Sequence, residues 1–166
     1  MDMTTSNFID REYLISRTNL QKNVLEVERY IDEATLLYIQ PILGLNYHNI
    51  LYANFVNDRI LEGTLEKLVL DYVRLATAYY TVSLILPNIH YKLTETSVVT
   101  KDGGDNTSVE SRDLQYLITL NKQNGDRFMA KALDILNDNC NMFPYFKVRN
   151  PNQQDIRTYG GILFSK

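Results

Sequence analysis

Between Thr64 and Leu86 the chain runs without a glycine or a proline, and Leu65, Leu68, Val69, Tyr72, Ala76, Tyr79, Tyr80 and Ser83 recur at spacings of three and four. That spacing puts them on one side of an α-helix. A stripe so wide belongs to a helix with neighbours on more than one side, so the segment is predicted to be a central helix. Thr64 is its N-cap and Pro87 its stop. The rest of the chain is similarly short of punctuation, with seven Gly and four Pro in 166 residues. The fold class expected is mainly α: a small helical bundle with a short β-hairpin or flap and an extended C-terminal arm.

Two capping patterns, Thr18-Asn19-Leu20-Gln21 and Asn23-Val24-Leu25-Glu26, precede the first predicted long helix. The reading is a short turn and then a helix over about Val24 to Gln40, with Tyr30, Ile31, Ala34, Leu37 and Tyr38 on its apolar face and Pro41 ending or bending it. Leu43-Gly44 reads as a turn. Asn46 to about Val56 reads as a shorter helix with Tyr47, Ile50, Leu51 and Phe55 inward. The last helix is expected from the Thr107-Ser108-Val109-Glu110 box onward, with Leu114, Leu117, Ile118, Asn121, Gly125, Phe128, Met129, Ala132, Ile135 and Leu136 on one face. Uninterrupted, its roughly 30 residues would span about 45 Å, against a radius of gyration near 15 Å for a compact chain of this size. It therefore crosses the whole molecule, protrudes, or breaks at Gly125.

Two segments fit no closed bundle. Residues 88–107 form a connection longer than the roughly 12–15 residues usual in compact domains. Tyr91, Leu93, Val98 and Val99 among Thr, Ser and Lys read there as a hairpin or flap, followed by the polar tip Lys101-Asp102-Gly103-Gly104-Asp105-Asn106. Residues 141–166 space Pro144, Pro151, Gly160 and Gly161 among Phe143, Tyr145, Phe146, Tyr159, Ile162, Leu163 and Phe164. No helix fits, yet the segment is too aromatic to remain in water, so it calls for a surface to lie on. The domain reading is a helical domain over 1–140, with its flap at 88–107, and an arm over 141–166.

Charge divides along the same line. The net charge is −3, but the last 26 residues hold Lys147, Arg149, Arg157 and Lys166 against Asp155 alone, leaving the first 140 residues at −6. A basic extension on an acidic body suits one copy gripping the next. The single Cys140 forms no internal bridge, which fits a reduced thiol. No signal peptide is read at Met1 to Asn7, and the most apolar run, Val82 to Leu86, is far short of the roughly 20 residues of a bilayer span. Neither secretion nor a membrane is expected.

Signals for chemistry are weak. There is no Gly-rich phosphate loop, no His-Glu-x-x-His pair and no Gly-x-Ser-x-Gly elbow. His48 and His90 are far apart and read as structural or surface residues. Asp102 to Asn106 fails as a calcium loop, because Gly104 stands where a ligand is required, and reads as a polar turn. Asp134 and Asp138, one turn apart, read as a solvated face. The expectation is no enzyme, no cofactor and no metal. The twelve tyrosines fit protein interfaces, where the ring buries area and the hydroxyl finds a partner. An alternative is a nucleic-acid-binding accessory protein, in which Tyr145-Phe146-Lys147-Val148-Arg149 stacks single-stranded bases beside cations.

The stretch Tyr30-Ile31-Asp32-Glu33-Ala34-Thr35-Leu36-Leu37-Tyr38-Ile39-Gln40-Pro41-Ile42-Leu43-Gly44-Leu45-Asn46-Tyr47, entered through Leu14-Ile15-Ser16-Arg17-Thr18-Asn19-Leu20, resembles the head-tail connector proteins of tailed bacteriophages. These are also called head completion or neck ring proteins, and the likeness is to those of crAss-like phages. It covers Tyr13 to Leu136, with the turn from Pro41 to Tyr47 its most specific part and Pro87 its second landmark. The C-terminal arm departs from the shorter members of that group.

The resemblance implies a virion protein of the neck, between capsid and tail, assembled in the host cytoplasm. It implies a homo-oligomeric ring, commonly of twelve subunits, that meets the portal protein on one side and the tail or a second neck ring protein on the other. Genome DNA would pass through its channel without specific binding. Candidate interface residues are Tyr91, Leu93, Val98, Val99 and Lys101 in the flap. In the arm they are Tyr145, Phe146, Lys147, Arg149, Arg157, Tyr159, Ile162, Leu163 and Phe164.

Overall fold

A computed structural model describes residues 7–18, 20, 24, 26–97 and 111–146. The helices are α1 (Arg11–Arg17), α2 (Val27–Ala34), a π-helical turn (Thr35–Ile39), α3 (Gln40–Leu43), α4 (Leu45–Val56), α5 (Leu65–Ser97) and α6 (Ser111–Asp138). The fold is mainly α, and there is no strand among the described residues.

Helix α5 is the central helix. Thr64 Oγ1 accepts the Lys67 N–H at 3.2 Å and donates to the Leu61 carbonyl at 2.7 Å, which caps the start. Val69, Leu70, Val73, Ala76 and Tyr80 enter one core with Met129, Ala132 and Leu136 of α6 and with Tyr47 and Leu51 of α4. Ala78, Val82 and Ile85 enter a second core with Leu14, Val27 and Ile31. Thr77 and Thr81 are fully buried, and their hydroxyls donate to the Val73 and Thr77 carbonyls at 2.8 Å, so neither requires a partner outside the helix. Leu65–Asn88 meets the length and composition of a bilayer span, at a mean hydropathy of 1.2, although 61% of it is buried within the molecule. Two cores sharing one helix account for that apolarity.

Two expectations of the sequence are corrected here. Pro87 does not stop α5, which continues through it to Ser97. Tyr91 and Leu93 therefore stand on a helix and not in a hairpin; Val98, Val99 and Lys101 lie outside the described residues. The break at Gly125, one of the outcomes left open, does not occur: α6 is continuous, with Tyr80 packed against that glycine.

At the N-terminal end, Asp10 accepts the Tyr13 N–H at 2.8 Å and opens α1, a helix that the capping patterns did not reveal. Thr18 closes that helix, donating to the Leu14 carbonyl at 2.7 Å, where the sequence cast it as a helix start. Glu26 takes a left-handed conformation at φ 58°, so α2 begins at Val27 and not at Val24. Arg11 joins the two helices by a forked pair with Glu28 at 2.9 and 3.1 Å. Arg74 of α5 sits over the Tyr13 ring at 4.0 Å, tying α1 to the central helix.

Pro41 does not end the helical run, which continues to Leu43. Lacking an N–H, and with a ring that would press on the carbonyl four residues earlier, it is preceded by the wider π turn Thr35–Ile39. The helix then ends at Gly44, whose φ of 78° favours glycine.

Candidate subunit interface

Two long helices packed antiparallel leave one end of the molecule thinly covered. Among the residues of α6 whose burial is described, the buried ones are Gly125, Met129, Ala132 and Leu136, all in its second half. The described side chains from Asp113 to Asn124 are exposed or half-buried, so this half, about 18 Å at 1.5 Å per residue, adds little to either core. Tyr116 is 65% exposed there, and Leu117 is also exposed, which corrects its assignment to the inner face.

The register of this helical pair is set at Tyr80. Its ring lies over Gly125, its hydroxyl donates to Asp126 Oδ1 at 2.7 Å, and Tyr38 stacks on it with ring centres 4.4 Å apart. Beside that stack a groove of about 450 Å³ runs between Leu84 and Ile118, with Lys122 and Asp126 on its border.

The second exposed feature is the turn after α6. Phe143 and Phe146 meet the Tyr47 ring edge-on, at 6.2 and 5.6 Å between centres, and both are buried. Met142 and Tyr145 point outward, Tyr145 at 64% exposure. Tyr145 is exposed, whereas Phe146 is a core residue at 7% exposure and is withdrawn from the candidate interface. Lys147, Arg149, Arg157, Tyr159, Ile162, Leu163 and Phe164 lie outside the described residues.

A third feature escaped the sequence reading. Leu37, placed on the inner face by its spacing from Ala34, is 55% exposed, as is its neighbour Leu36 at 51%. The π turn inserts an extra residue into the helical repeat, so Ile39 takes the inward place and Leu37 rotates out. Leu36 and Leu37, with Arg29, Asp32 and Glu33, border a shallow recess of about 350 Å³. A proline four residues after an apolar position was the only signal of that rotation.

His48 is fully buried on α4, edge-on to Phe8 at 5.0 Å, and its Nδ1 lies 3.4 Å from Asn49 Oδ1. Burial pushes its pKa down, favouring the neutral ring. Asp134 and Asp138 are exposed on α6. Among the described residues no three His, Cys, Asp or Glu side chains gather as metal ligands. These arrangements supply surfaces for contact.

A search of curated proteins and of solved structures finds no match to the chain. A family model described as a family of unknown function, DUF6712, matches residues 39–156, from the end of the π turn through α6 and beyond.

Proposed function

For a chain that belongs to the DUF6712 family, we propose a structural role in the neck of a tailed-bacteriophage virion, as the repeated subunit of a ring between portal and tail that extends the DNA channel. The proposal rests on the resemblance carried by Tyr30 to Tyr47. One observation of the fold supports it best. A helical pair leaves the first half of α6 outside the cores, with Tyr116 and Leu117 exposed. At the other end of α6, Met142 and Tyr145 face outward where the basic, aromatic segment departs.

Two separated sticky features on one rigid body make a heterologous contact, which closes into a ring when the rotation between copies permits. In this reading the segment from Tyr145 to Lys166 links copies, and the segment from Tyr91 to Asn106 meets a neighbour or the portal. Weak contacts of this kind become strong when a closed ring makes them simultaneous.

The test is native mass measurement of the chain alone and with its purified portal protein, beside a variant lacking residues 150–166. Rings are expected with the full chain, and loss of rings with unchanged helical content in the variant. A full chain that stays monomeric with the portal present overturns the role; a truncated chain that still forms rings overturns the arm.

A further inference from the structure

The recess at Leu36 and Leu37 has an apolar floor and a negative rim. Arg29, its one cation, pairs with Glu26 at 3.7 Å. Asp32 accepts a hydrogen bond from Asn7, and Glu33 has no cationic partner among the described residues. Two adjacent leucines more than half exposed leave apolar area that a partner can bury. The ligand that fits is an apolar segment carrying positive charge.

Three larger stretches of the chain lie outside the described residues, and their sequences differ in kind. Residues 1–6 hold one charge, that of Asp2; residues 98–110 hold Lys101 against Asp102, Asp105 and Glu110. Neither carries net positive side-chain charge to set against the rim. Residues 156–166 hold Arg157 and Lys166, no acidic side chain, and Ile156, Tyr159, Ile162, Leu163 and Phe164. Of the three stretches, the C-terminal one alone combines net positive side-chain charge with apolar residues, and its apolar residues gather in 156–166.

From Phe146 to Arg157 the extended chain reaches about 36 Å, more than twice the radius of gyration of near 15 Å for a compact body of this length. A neighbouring molecule is therefore within its range. We propose that the recess formed by Leu36 and Leu37 at the π turn is the seat for residues 156–166 of a second copy. This deepens the ring reading and rests on it, by naming which surface receives the arm. The contact joins different patches on the two copies, so it repeats from subunit to subunit.

The experiment is disulfide trapping in a Cys140→Ser background, which removes the exposed native thiol. Leu37→Cys with Leu163→Cys is oxidised in the assembled full-length protein and run on a non-reducing gel, beside a Tyr116→Cys with Leu163→Cys control. Linked multimers from the first pair, at least tenfold more abundant than from the control, are expected. Glu33→Lys should raise the concentration at which copies associate about tenfold, with the circular dichroism spectrum unchanged. A disulfide closed within one chain, equal linking by the control, or an oligomer with no link overturns the seat while leaving a ring standing. A protein that is monomeric at every concentration and with the portal overturns both.

Discussion

Tyr80 on α5 and Gly125 on α6 approach so closely that a Cβ built on the glycine would lie 2.7 Å from the tyrosine Cε1. The two residues act as knob and socket. A ring stacked on Tyr38 and packed close to the bare backbone of Gly125, with its hydroxyl on Asp126, fixes how far the two long helices slide past each other. The placement of the exposed half of α6 follows from that register.

Gly125→Ala tests the socket. In an exposed helix this change would gain about 1 kcal/mol of helix propensity. Here the methyl meets a ring already stacked on Tyr38, and overpacking costs about 1–3 kcal/mol. A net loss of stability in urea unfolding is expected, and a Gly125→Leu chain should fare worse; a stabilised Gly125→Ala chain would contradict this packing.

Tyr47 offers the opposite case. Its ring supports Phe143 and Phe146, but its hydroxyl is buried without a hydrogen-bond partner among the described residues. Burial pushes its pKa up, so it remains a neutral phenol. An unsatisfied buried polar group costs about 1–3 kcal/mol, so Tyr47→Phe should leave stability unchanged or raise it by up to about 1 kcal/mol. A clear loss in thermal unfolding would reveal a partner for the hydroxyl.

The neighbours Tyr145 and Phe146 should behave differently. Phe146→Ala empties a core position and is expected to cost about 3 kcal/mol or more. Tyr145→Ala removes an exposed ring and should change stability by less than about 0.5 kcal/mol while weakening association between copies. Unfolding curves and sedimentation, measured on both variants, separate the two effects.

His48 gives the fold a pH dependence of known sign. Its folded pKa lies below the usual value of 6.5, so the unfolded chain binds the extra proton first as pH falls. The stability it contributes is complete above pH 6.5 and declines as pH drops below that value toward the folded pKa. Denaturant midpoints at pH 7.5, 6.5 and 5.5 should fall in that order, and the slope should shrink in a His48→Gln chain. An equal slope in the variant would assign the dependence to other groups.

The capping residue Thr64, the helix over 45–56 and the inward places of Val69, Ala76 and Tyr80 were all legible, because they depend on neighbours three or four positions away. Other features were not. Pro87 reads as a stop because its missing N–H removes one bond, yet a helix with a packed partner continues past one lost bond. Phe146 reads as an interface aromatic because nothing local shows that Tyr47, 99 residues earlier, receives it.

Amino-acid order alone determined a mainly helical fold, the central place of α5, and the division of charge between an acidic first 140 residues and a basic, aromatic C-terminal sequence. Tertiary structure decided which residues of those helices face outward. The physical reason is that amphipathic periodicity is a local property, whereas phase and register depend on partners distant in sequence. A π turn before Pro41 exposed Leu37, and the fit of Tyr80 on Gly125 fixed where α6 leaves its side chains uncovered.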